Sequence, residues 1–107
     1  MTLYVHEKAH SELKEKEMYE EFMRLTGDDK ASEMAVSIIE YYINDDVIRY
    51  DNAKRYQEHK KDVVREIEVF IEGVAFAVPS ITVIDDTVVR NLILNTVVSE
   101  LKKVQLD

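Results

Sequence analysis

The sequence predicts an all-α or nearly all-α domain: four helices, optionally preceded by a short N-terminal strand, assembled as a dimeric helical bundle. Three observations predict it. Only two glycines (Gly27, Gly73) and one proline (Pro79) interrupt the 107 residues, too few turn residues for many short strands. Apolar residues recur at helical spacing in four separate stretches, the pattern of amphipathic helices. The composition is 46% hydrophobic and 34% charged, apolar enough to offset the entropy of ordering the chain. The length fits a single domain over 1–107. It divides into a strand/helix–helix part (1–45) and a C-terminal helical hairpin (46–107).

Thr2 to Val5 (TLYV) is short and β-prone, and reads as a strand or an ordered tail. The first helix is expected from about Glu7 to Leu25. Glu12 stands four residues before Lys16, and Glu20 four before Arg24, a spacing that pairs charges on a helix. Leu13, Met18, Tyr19, Phe22 and Met23 form its apolar stripe, and Gly27 is placed to end it with positive φ. The second helix is expected from about Lys30 to Asn44, capped by Asp28, Asp29 or Ser32. Its segment SEMAVSIIEYYI is apolar around nearly the whole circumference, which predicts a central, buried helix.

The third helix is expected to begin near Asp46 or Asp51 and run unbroken to about Val78, where Pro79 stops it. Its first half is polar. Its second half carries Val63, Val64, Ile67, Phe70, Ile71, Val74 and Val78 on one face. The stretch SITVID that follows is β-branched and reads as extended. The fourth helix is expected from an Asp85 or Asp86 cap to about Val104, with a stripe of Val89, Ile93, Val97, Leu101 and Val104. Its run VVRNLILNTVV leaves a strand as the alternative. These stripes are wider than one small bundle easily covers. The sequence therefore predicts a homodimer or partner surface at Val63, Ile67, Phe70, Ile71, Val74, Val89, Ile93, Val97 and Leu101.

The net charge is −8. Residues 1–50 hold twelve acidic and six basic residues, and residues 51–107 hold ten and eight. An acidic first half repels phosphate backbones and anionic lipid and suits a basic partner. There is no cysteine, so disulfides and thiolate metal sites are excluded, as fits a reducing cytoplasm. The N-terminal MTLYVHEKAHSELKEKE has no apolar core of signal-peptide length. The longest nearly apolar stretch, Val69 to Val78, is about half of what a bilayer requires. A cytoplasmic protein without membrane contact is expected.

Few residues group as chemistry would need. His6-Glu7-Lys8-Ala9-His10 fits H-E-x-x-H and resembles the zincin metalloprotease signature. The resemblance implies His6 and His10 as zinc ligands and Glu7 as general base. It covers five residues, only five residues precede it, and no third ligand is marked. Glu7 and His10 also make one E-x-x-H, but a di-iron bundle needs two. Glu15, Glu17, Glu20 and Glu21 with Asp28 and Asp29 resemble the Mg²⁺-holding carboxylate helices of all-α nucleotide pyrophosphohydrolases. Glu17-x-x-Glu20 is present, but the second helix offers only Glu33 and Glu40 without the partner spacing. Glycine-rich phosphate loops, nucleophile elbows and dinucleotide fingerprints are missing from the sequence. No cofactor is expected.

Residues 2–43 resemble a ribbon-helix-helix DNA-binding domain: a short strand, a helix ending at Leu25-Thr26-Gly27, and a second helix from Ser32-Glu33. The resemblance implies a dimer whose paired strands enter the major groove, with Thr2, Tyr4 and His6 reading bases. The sequence departs from that pattern in a longer first helix, in Asp28 and Asp29 where phosphate should sit, and in a strand without Lys or Arg. A further basic cluster comprises Lys54, Arg55, His59, Lys60, Lys61 and Arg65. Lys54, Lys61 and Arg65 would share a face of one continuous helix and offset the acidic first half.

The expected function is thus contact rather than chemistry: a small acidic, non-enzymatic protein-interaction module, such as an adaptor, inhibitor or accessory protein, working as a homodimer. A dimeric ribbon-helix-helix regulator is the alternative. A metal-dependent hydrolase built on His6, Glu7 and His10 stands third.

Overall fold

The computed structural model describes residues 15–78 and 86–106. Thr2 to Val5, the H-E-x-x-H motif, the start of the first helix and the SITVID stretch lie outside the described residues. All regular structure among the described residues is helical: α1 within 15–26, α2 Asp29–Ile43, α3 Asp46–Glu58, α4 Lys60–Ala77 and α5 Thr87–Lys102.

Local chemistry sets the boundaries. Gly27 takes φ +65° and its N–H donates to the Met23 carbonyl at 2.9 Å, closing α1 in a conformation that costs a Cβ-bearing residue about 1 kcal/mol. Gly27→Ala should lower stability by about that amount, read as a shift of the urea midpoint. A polar knot then starts α2. The Asp28 carboxylate accepts from the Ala31 N–H at 3.1 Å, satisfying a helix-start donor that would otherwise lack a partner. The buried Ser32 hydroxyl donates to the Asp28 carbonyl at 2.8 Å and lies 3.2 Å from the Thr26 hydroxyl. Asp45 caps α3 and Asp86 caps α5 in the same way. The β-branched run after Asp86 is helical, because its period-four stripe of Val89, Ile93, Val97 and Leu101 is buried.

The long third helix of the sequence reading is two helices, which makes five rather than four. The break falls on His59, at φ −137° and ψ 60°. Arg55 and Glu66 form an ion pair across it. In a continuous helix eleven residues rise about 16 Å, so this contact exists only because the chain bends. The reason lies in the side chains. α3 offers the core only Ala53 and Tyr56, while α4 offers Val63, Ile67 and Ile71. Bending at His59 lets α3 pack beside α4 as well as against α2 and α5. The break also splits the basic cluster. Arg55 turns to Glu66, Arg65 to Glu68, and Lys60 lies 5.8 Å from the Tyr56 ring centre. None of these pairings reaches α1. On α1 itself, Arg24 pairs with Glu21 rather than Glu20.

α5 is the central element, packed against α2, α3 and α4. α1 lies along α5 through Met18 and Phe22, beside Leu92 and Thr96, and along α2 through Tyr19. Phe22, Ile39, Tyr42, Ile67, Ile93 and Leu101 are among the largest fully buried side chains. Phe70 joins α2 to α4. Tyr41 stacks on it at 4.8 Å, and Tyr42 meets it edge-on at 5.9 Å, both favourable ring geometries. α2 is not enclosed all round: Tyr41 is 62% exposed, and Met34 and Val36 are half-buried. At its C-terminus the Asn52 amide donates to the Tyr42 carbonyl at 3.1 Å, so α3 satisfies an acceptor left open by the end of α2.

Candidate functional site

The residues first assigned to a dimer or partner surface lie elsewhere. Val63, Ile67, Ile71, Val89, Ile93, Val97 and Leu101 are buried inside the single chain, and Phe70 and Val74 are half-buried against that core. The bend at His59 adds a helix to the bundle, and α3 and α4 together cover α5.

A groove runs between α1 and α2. Glu15, Lys16, Tyr19, Glu33, Val36 and Ser37 line it. Helical spacing places Glu15 and Tyr19 on one wall and Glu33, Ser37 and Glu40 on the other. The Tyr19 hydroxyl donates to the Asp29 carboxylate. That bond, with some desolvation and the charges of Asp29 and Glu33, holds the phenol above its ordinary range. At the far end the carboxyls of Glu40 and Glu15 hydrogen-bond. Partial burial, and then this neighbour, push Glu40 up to about 7. A carboxylate neighbour disfavours the charged form of Glu40.

This pair links stability to pH. The folded state holds the Glu40 proton more tightly than the unfolded chain, whose pKa is near 4.5. The stabilisation is therefore fully present below about pH 4.5 and is lost as the pH rises through about 7. Glu40→Gln should remove that slope and raise stability at pH 8 by about 1 kcal/mol, the shift being discounted for solvent screening. Urea unfolding at pH 5 and pH 8 checks it; an unchanged slope in the variant would remove Glu40 as its source.

Glu17, Glu20 and Glu21 stand exposed on α1, Glu17 and Glu21 on its α5 side beside Leu92 and Thr96. The cations nearby are Lys16, Lys30 and Arg24, the last already paired with Glu21. The carboxylates do not gather into a set suited to a metal: no group of three or more candidate ligands occurs among the described residues. Asp28 and Asp29 occupy the N-terminus of α2, with Asp28 as its cap. This is where the ribbon-helix-helix resemblance would place a phosphate, and their charge opposes one. Thr2, Tyr4, His6, Glu7 and His10 lie outside the described residues.

Two further features stand out. Glu100 is a buried carboxylate beside Val97 and Leu101, with the Lys103 ammonium 3.3 Å away. Its signal was a glutamate on the buried side of α5, one turn from Val97 and two from Ile93. It borders a second groove with Asp46, Arg49, Tyr50 and Val104. The other feature is on α4, where Val69 and Phe76 face outward, 49% and 89% exposed. Tyr42, by contrast, is held in the core. Burial, with the Glu66 charge nearby, pushes its phenol up to about 12.

Among the described residues no helix is long and apolar enough to cross a membrane. No family model, curated protein or solved structure matches the chain, so the functional reading rests on the geometry.

Proposed function

We propose that this chain is a small non-enzymatic protein-interaction module, of the adaptor, inhibitor or accessory kind, working as a homodimer and presenting its acidic α1–α2 face to a basic partner. The observation that carries the reading is the α1–α2 groove. Glu15, Glu33 and Glu40 border it, Asp29 stands at its end bonded to Tyr19, and Lys16 balances only a fraction of that charge. In a chain of net charge −8, such a face concentrates negative potential where two helices form a trough. A trough of this kind accepts a basic helix or an extended basic segment.

A basic peptide titrated against the protein tests it. Binding should weaken steeply as salt rises, because charges beyond a Debye length of about 8 Å at physiological ionic strength are screened. Glu15→Lys with Glu33→Lys should weaken it about tenfold or more. Binding indifferent to both salt and charge reversal would overturn the assignment of this face.

A further inference from the structure

The outer face of α4 is a second, different surface. Val69 and Phe76 stand seven residues apart, two helical turns on the side opposite Val63, Ile67 and Ile71. Gly73 lies between them, exposed, and a Cβ there would meet nothing within 4 Å. The face thus has a shallow notch between two apolar knobs, and the Phe76 ring is almost entirely in water.

The charges around this stripe differ from those of α1 and α2. Asp62 and Glu72 alternate with Lys61 and Arg65, all exposed. With Glu66 held by Arg55 of α3, the rim is balanced in a molecule of net charge −8. Their order along the helix is also self-complementary. Arg65 lies one turn before Val69 and Glu72 about one turn after it. If a second α4 runs antiparallel across a two-fold axis beside Val69, each Arg65 comes opposite the other copy's Glu72. Val69 then meets Val69, and Phe76 covers the first turn of the other α4, where the aliphatic stem of Lys61 lies. An isologous contact must be complementary to itself in this way. Like-charge repulsion between two acidic copies is least at a face whose charges cancel. Arg65 and Glu72 now form surface pairs with Glu68 at 3.4 Å and Arg90 at 4.0 Å, contacts weak enough to re-sort.

We infer that the outer face of α4, centred on Val69 and bounded by Arg65, Glu72 and Phe76, is the site where a second copy of this chain docks, antiparallel and across a two-fold axis. This inference rests on the self-association in the proposed function and places it on a surface apart from the acidic groove.

The chain contains no cysteine, so a single introduced thiol reports the geometry. Val69→Cys should oxidise largely to a disulfide-linked dimer, since residues facing each other across the axis can meet the separation a disulfide needs. Phe76→Cys, carried away from the axis on both copies, should not. In light scattering the unmodified protein should show a dimer mass that Phe76→Asp returns to monomer. Arg65→Glu and Glu72→Arg should each lose the dimer, and the double exchange should regain it. Far-ultraviolet circular dichroism identifies any variant that fails to fold, and Val69→Cys, being conservative, keeps the test available. A dimer mass without the Val69→Cys link overturns this interface and leaves the homodimer standing. A monomer at every concentration overturns both, while binding of a basic peptide is judged separately.

Discussion

Ile93→Ala should lower the unfolding free energy by about 3 kcal/mol, the usual cost of removing a large aliphatic side chain from a core that cannot fully collapse around the gap. Ile93 has no solvent exposure and sits midway along α5, the helix that touches α2, α3 and α4. Against a typical domain stability of 5–15 kcal/mol, that is a large fraction. The loss should show as a lower midpoint in urea with an unchanged slope, and it should not depend on protein concentration. Concentration independence is the informative part. If Ile93 belonged to an intersubunit surface, its truncation would act by dissociating subunits, and dilution would mimic it. A variant whose stability fell only on dilution would contradict the single-chain core.

Phe22→Ala should cost a similar amount, about 3–4 kcal/mol, with a different pattern. Phe22 is the buried hydrophobic anchor in the described part of α1, where Met18 and Met23 are half-buried. It holds α1 in the groove beside Leu92 and Thr96 of α5. Its loss should therefore release α1 before the rest of the bundle. Amide exchange over residues 17–26 should rise toward that of an open segment, while Ile39, Ile67 and Ile93 keep their protection. Because the Glu15–Glu40 contact and the acidic groove need α1 in place, binding of a basic peptide should fall as well. Uniform loss of protection along the whole chain would mean that α1 is integral to a single cooperative unit.

Much of the helical content was legible in the residues. Asp28, Gly27, Asp86 and the stripe from Val89 to Leu101 stand where the helix ends and the buried faces lie. Capping and helical periodicity are local, so neighbouring residues suffice to reveal them. The bend at His59 was not legible. No glycine or proline marks it, and both flanking segments are good helix formers. The gain that drives it comes from packing α3 beside α4 and against α2 and α5, which no local pattern reports.

The candidate surfaces divide in the same way. The sequence placed the carboxylates of residues 15–33 on adjoining helices, and its net charge already pointed to a basic partner. The meeting of Glu15 with Glu40 depends on how α1 and α2 cross, and so became visible only in three dimensions. The apolar stripes were correctly located along the chain, but their width suggested an intersubunit surface. Stripe width measures how much area must be covered, and one bend supplied the extra helix that covers it. Which residues form helices, the capped helix ends and the sign of the charge followed from the sequence alone, the break at His59 excepted, because capping, periodicity and composition act over a few residues. That Val69 and Phe76 fall outside the α4 stripe is periodicity too; which apolar side chains lie inside, and that these two stay uncovered, was decided only by the tertiary structure, because burial depends on residues distant in the chain.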